Sequence, residues 1–156
     1  KDPTNVVDYI KFPTRIFMIG RLDKDSEGLL LLTNDGDIVN KILRSENNHE
    51  KEYVVTVQKP ITNHFISNMR SGVEILGKKT KPAKVKAINQ NTFSIVLTEG
   101  MNRQIRRMCS TLGYRVTSLV RVRIMNITNK NLDTGDWRFL TKEEIASIKA
   151  QTIGDD

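Results

Sequence analysis

The sequence predicts an α+β fold built on a largely antiparallel sheet. Short β-branched or alternating runs recur at 53–58 (YVVTVQ), 84–88 (KVKAI), 92–98 (TFSIVLT) and 120–127 (VRVRIMNI), which is the pattern of half-buried strands. Helical stretches with readable caps fall between them, and no internal repeat or low-complexity segment points to a solenoid or a tail.

Taken in order, residues 15–19 form a short strand running into Gly20, and residues 29–33 a second one, too short and leucine-rich for periodicity to decide. Residues 34–37 (NDGD) cap a helix with Ile38, Ile42 and Leu43 on one face and acids in its first turn. After the strand at 53–58, Thr62 caps a helix that turns Phe65, Ile66 and Met69 inward and ends at Gly72. Strands follow at 73–76, 84–88 and 92–98, the middle one alternating Lys84-Val85-Lys86 with its cations outward. Residues 102–112 (NRQIRRMCSTL) form a helix ended by Gly113, with Ile105, Met108, Cys109 and Leu112 on one face and Arg103, Arg106 and Arg107 opposite. The strand at 120–127 comes next, and Thr141-Lys142-Glu143-Glu144 is a capping box before the last helix.

At 156 residues the chain suits one domain or two small subdomains. Its composition, 38% hydrophobic and 28% charged, is that of a globular protein, and no apolar run or leader pattern marks a membrane span or signal peptide. The single cysteine excludes an internal disulfide and a multi-cysteine zinc site, and His49 and His64 do not form a metal cluster with each other. A reducing, cytoplasmic setting is expected. The net charge of +7 is lopsided, at −2 over residues 1–50 and +9 over 51–156. Residues 100–132 carry no carboxylate, yet hold Arg103, Arg106, Arg107, Arg115, Arg121, Arg123 and Lys130. Such a field draws polyanions, and arginine is the better fork for phosphate, so nucleic acid is the expected partner.

Residues 20–37, GRLDKDSEGLLLLTNDGD, set Asp23, Asp25 and Glu27 against four leucines. Residues 23–28 match the first half of a calcium-binding loop, but leucines then replace the oxygen ligands and Asn34 stands where a bidentate Glu is needed. A plain turn accounts for Asp25 and Glu27, with Gly28 free to take an unusual backbone angle. It accounts less well for Asp23, at the end of an apolar strand, where a carboxylate needs a cationic partner. Cys109, on the apolar face of its helix, reads as packing. The three arginines opposite form an anion site for RNA phosphate or for a carboxylate of the same protein.

GRLD, followed by S-x-G-L-L-L-L-T-N-D-G, resembles the signature of pseudouridine synthases of the RsuA-like branch, which modifies ribosomal RNA. HEKEYVVTV, KPITNHF, EGMNRQIRRMCSTLGY, LVRVRIMN and GDWRFLT resemble that branch in the same order, over nearly the whole chain. The HEKEY and RIMN wording points to a 23S ribosomal RNA enzyme. The resemblance implies a mostly antiparallel mixed sheet of two ferredoxin-like subdomains with flanking helices. It also implies the isomerisation of a uridine to pseudouridine by base flipping, without cofactor or metal. Matched position by position, Asp23 is the catalytic aspartate, Tyr53 stacks on the target uracil and serves in proton transfer, and Arg106 pairs with the aspartate. Arg21 fills the gap left by the flipped base, and Asn102, Arg103, Gln104 and Arg107 contact RNA. The whole chain, 1–156, is expected to be the catalytic domain of a monomer acting on ribosomal RNA or a transfer RNA stem-loop. It opens without Met and without the S4-like RNA-binding module and the short strand that precede this part in the family, so a fragment is expected. A non-catalytic RNA-binding module of the same fold is the rival reading, and a DNA-binding regulator a weaker one, since no helix-turn-helix pairing is visible.

Overall fold

The computed structural model describes residues 10–11, 13–20, 22–43 and 49–152. The elements run β1 (Phe17–Ile19), β2 (Glu27–Gly28), β3 (Leu31–Thr33), α1 (Gly36–Leu43), β4 (Lys51–Val57), α2 (Asn63–Ser71), β5 (Glu74–Ile75), β6 (Lys78–Lys79), β7 (Lys84–Asn89), β8 (Thr92–Leu97), α3 (Gln104–Thr111), β9 (Val116–Ile124), β10 (Ile127–Thr128) and α4 (Lys142–Thr152).

The main sheet orders its strands β10-β9-β4-β8-β7, all antiparallel, and β2 adds to β9 in parallel. β1 pairs with β3 and β5 with β6 in two small ribbons. The expected α+β class therefore holds. On the face of β4 that carries Tyr53, Val55 and Val57, cross-strand partners Ile95 and Phe93 of β8 and Leu119 of β9 meet Phe65 and Met69 of α2 and Ile105, Met108 and Cys109 of α3. Val55, Met69, Phe93, Ile95, Met108 and Cys109 are fully buried there. A second cluster joins Ile19, Leu29, Leu31 and Ile42 to Ile124, Met125, Ile127 and Ile148. It explains the leucine run: Leu29 and Leu31 are buried while Leu30 and Leu32 are only half-buried, an alternation with period two.

The caps follow the sequence. Thr62 Oγ1 accepts the Phe65 amide, and Gly72 closes α2 at φ 106°. Thr141 and Glu144 exchange both bonds of the capping box. Asp35 Oδ1 accepts the Asp37 amide at the start of α1, where Ile42 is buried as expected; the side chain of Leu43 lies outside the described residues.

Two expected strands differ. Residues 73–76 shrink to β5, because Leu76 and Gly77 both take positive φ (50° and 75°) and turn the chain straight back into β6. The strand expected at 120–127 starts at Val116 and stops at Ile124, where Met125, at φ 54°, donates its amide to the Glu50 carbonyl. It also carries a bulge. Tyr53 faces Arg121 while Glu52 faces Arg123, so Val122 is the extra residue, and the two arginines point to opposite faces of the sheet.

Phe93 is fully enclosed and meets Phe65 edge-on at 5.4 Å. Phe93→Ala is expected to cost about 3–5 kcal/mol, read as a lower urea midpoint with an unchanged slope.

Candidate active site

The site forms where the two hydrophobic clusters adjoin. Tyr53 packs against the first cluster and Leu29 belongs to the second. Between them lies Arg121, 3% exposed, directly opposite Tyr53 on β9. Its Nε donates to the Leu29 carbonyl at 2.8 Å, and the Leu29 amide donates to the Arg121 carbonyl at 2.7 Å. The approach is so close that a Cβ on Gly28 would sit 2.2 Å from the Arg121 carbonyl oxygen, and Gly28 has φ 120°. Only glycine meets both conditions. The loop carrying Asp23 is thereby fastened to the strand opposite Tyr53.

A second fastening comes from the start of α3. The Ser26 amide donates to the Asp23 carbonyl and closes a tight turn. Arg103 holds the Asp25 carboxylate in a two-pronged grip at 3.0 and 2.8 Å. Arg106 donates Nη2 to the Asp25 carbonyl at 2.6 Å and to Ser26 Oγ at 3.3 Å. Arg103 adopts the left-handed conformation, φ 48° and ψ 40°, ahead of the helix, which is unusual for a residue with a side chain. The Arg103 hydrogen bond, aided by the charges of Arg106 and Arg103, brings the Asp25 carboxyl down to about 2.

A family model described as RNA pseudouridylate synthase matches residues 4–111. The chain belongs to that family. It is 56% identical over 144 residues to the dual-specificity RNA pseudouridine synthase RluF of Salmonella typhi, a match that covers 92% of this chain and 50% of the relative. It is 39% identical over 152 residues to the ribosomal large subunit pseudouridine synthase B of Bacillus subtilis, covering 93% of this chain and 62% of that one. A crystal structure of a pseudouridylate synthase superposes with a TM-score of 0.84 at 31% identity, over 90% of this chain and 64% of the other. The chain thus spans about half the length of the RluF relative.

Within this pseudouridylate synthase fold, several expected residues take other places. The expected Arg106–Asp23 pair is not formed. Among the described residues Asp23 meets Arg103 instead, at 3.6 Å, while the carbonyl of Asp25 occupies the Arg106 guanidinium. Asp25, read as a plain turn residue, is the anchor that both arginines grip, and Glu27 lies in β2. Gln104, expected on RNA, is 4% exposed; its amide donates to Glu99 Oε1 at 3.0 Å and accepts from the Met101 amide. Glu99 Oε1 also accepts the Lys81 amide, so Gln104 is a strut that satisfies a buried carboxylate. Arg107 turns back onto the carbonyl and side chain of Asn102, both on the exposed shoulder of α3. Arg21 lies outside the described residues.

The basic field is narrower than the sequence implies. Arg121 is buried, and Arg123 bonds Glu52, Glu50 and the Met125 carbonyl. Cys109 is fully buried, and burial pushes its thiol up to about 12, in keeping with a packing role. Lys51 and Arg121 escaped the sequence reading, because an alternating strand does not disclose which cation faces inward.

Two outcomes are expected. Gly28→Ala forces Cβ into backbone atoms that cannot yield, so it is expected to cost at least about 2 kcal/mol in denaturant titration and to expose the Leu29 amide to hydrogen exchange. The Asp25 carboxyl titrates below its unfolded value of 3.8, so its contribution to loop order is complete above about pH 4 and lost as pH falls through about 2. Carboxyl NMR is expected to show that midpoint rise toward 3.8 in Arg103→Gln.

Proposed function

We propose that this chain isomerises uridine to pseudouridine in RNA, ribosomal RNA being the substrate class. The observation that carries this reading is the fastening of the Asp23 loop to the strand opposite Tyr53, beside the arginines of α3. Membership of the pseudouridylate synthase family supports it, as do the names of the relatives RluF and large subunit synthase B. None of the described helices is long and apolar enough to cross a membrane. Residues 1–156 act as the catalytic part, as a monomer in the cytoplasm.

The reaction breaks the N1–C1′ bond, turns the uracil and joins C5 to C1′, and the hydrogen on C5 leaves as a proton. Redox state and water content are unchanged. The target base is extruded from its stack at a cost of a few kcal/mol, about what an aromatic platform such as Tyr53 returns by stacking. Asp23, 3.6 Å from the Arg103 guanidinium, acts at the sugar as nucleophile at C1′ or base at C2′. Arg106 acts as a positioning residue through the Asp25–Ser26 turn. Arg103, Arg107 and Asn102 meet the RNA, and Arg21 fills the gap left by the flipped base.

The test is tritium release from RNA labelled at uridine C5, with the full-length protein. Asp23→Asn is expected to abolish release and leave RNA affinity unchanged; retained release removes Asp23 from the mechanism. Tyr53→Phe, which keeps the ring, is expected to bind normally and react slowly, and full activity would reduce Tyr53 to a platform. No release by the parent from ribosomal or transfer RNA, with binding intact, would leave an RNA-binding module.

A further inference from the structure

Lys51 and Tyr53 share one face of β4, with Leu97 and Ile95 of β8 across from them on one side and Arg121 across from Tyr53 on the other. Arg121 spends its Nε on the Leu29 carbonyl, but among the described residues its Nη2, also buried, has no hydrogen-bond partner. Lys51 is half-buried, and its Nζ lies close to the backbone of Gly100, 3.7 Å from where a Cβ would stand. Among the described residues, neither cation has a carboxylate within ion-pair reach. Burial, and then the positive charge of Arg121, hold Lys51 below the ordinary lysine range. Two cations have thus been drawn partly out of water, each near enough to feel the other's charge and with one donor unsatisfied, on the face of the sheet that carries Tyr53. Such a pair weakens the free protein unless an anion completes it.

We propose that Lys51 and Arg121 form the subsite for a phosphodiester group of the RNA strand, next to the base presented to Tyr53. The proposal rests on the reading of this chain as an RNA-modifying enzyme. A phosphodiester fits the pair on charge and shape. Its single negative charge relieves the repulsion, and its two free oxygens accept from an ammonium and from one end of a guanidinium. A uracil carbonyl, neutral before the bond breaks, would satisfy the Nη2 donor but leave the two cations uncompensated. The site lies on the inner face of the sheet, apart from Arg103 and the arginines of α3, so it engages only a strand whose base has been swung out. Lys51 and Arg121 would then position the flipped nucleotide rather than supply general RNA affinity.

The experiment compares full-length parent, Lys51→Met, Lys51→Arg and, as a control on the exposed side of β7, Lys86→Met. The probe is a 23S ribosomal RNA transcript labelled at uridine C5. Lys51→Met is expected to lower the slope of log affinity against log salt by about 0.7–0.9, the value for one phosphate contact. It is also expected to lower kcat/KM by about tenfold or more. Its Tm without RNA should hold or rise, because a desolvated charge has been removed. Lys51→Arg should keep the slope, and Lys86→Met should change nothing. A purely structural lysine would instead lose Tm and leave the slope alone, and an unchanged slope in folded Lys51→Met overturns the proposal. Failure of the enzyme reading shows separately, as absence of tritium release by the parent, while the slope reports on binding alone.

Discussion

Two reciprocal hydrogen bonds between Leu29 and Arg121, made possible by a glycine at position 28, hold the rest of the site in place. They join a two-residue strand in parallel to the edge of an otherwise antiparallel sheet. In doing so they connect the two hydrophobic clusters through backbone and a single side chain. Without them the Asp23 turn would be held only by its bonds to Arg106 and by the exposed Arg103–Asp25 ion pair, which salt and water weaken.

The turn is gripped from its other end by a division of labour among carboxylates. Asp25 takes the bidentate bonds of Arg103 and offers its carbonyl to Arg106. Asp23, two residues earlier, keeps a looser 3.6 Å approach to Arg103 and a third of its side chain in solvent. One acid is committed to structure, and its neighbour makes only the looser contact. Both arginines come from the first turn of α3 or just ahead of it, and α3 is in turn held by Met108 and Cys109 in the main core. The loop therefore inherits its rigidity from residues far from any substrate.

Much of this was legible in the sequence because it rests on local rules. The capping box at Thr141, the cap at Thr62 and the inward face of α3 each follow from residue type and spacing, whereas which leucines of the 29–32 run are buried was settled only by the pairing of the strands. The class of fold and the family could be read from the order of the motifs. What escaped was set by partners distant in sequence. Nothing near Gln104 announces that it will satisfy a buried Glu99, and a glutamine among arginines reads naturally as a ligand contact. The assignment of Arg106 to Asp23 failed for a similar reason, since a main-chain carbonyl two residues away competes for the same guanidinium. The bulge at Val122 was invisible to a period-two reading, which would have put Arg121 and Arg123 on one side.

That bulge has an evolutionary consequence. Val122 has no partner on β4, so other β-formers could replace it with little effect. Losing that residue would leave Arg121 opposite Tyr53 and Arg123 opposite Glu52 in a regular ladder, whereas one extra residue in β4 between Glu52 and Tyr53 would bring both arginines to one face. Drift is thus constrained in the length of β4 more than at the bulge. The Leu76–Gly77 tip of the β5–β6 ribbon, exposed and outside the main sheet, is by contrast where insertions could accumulate.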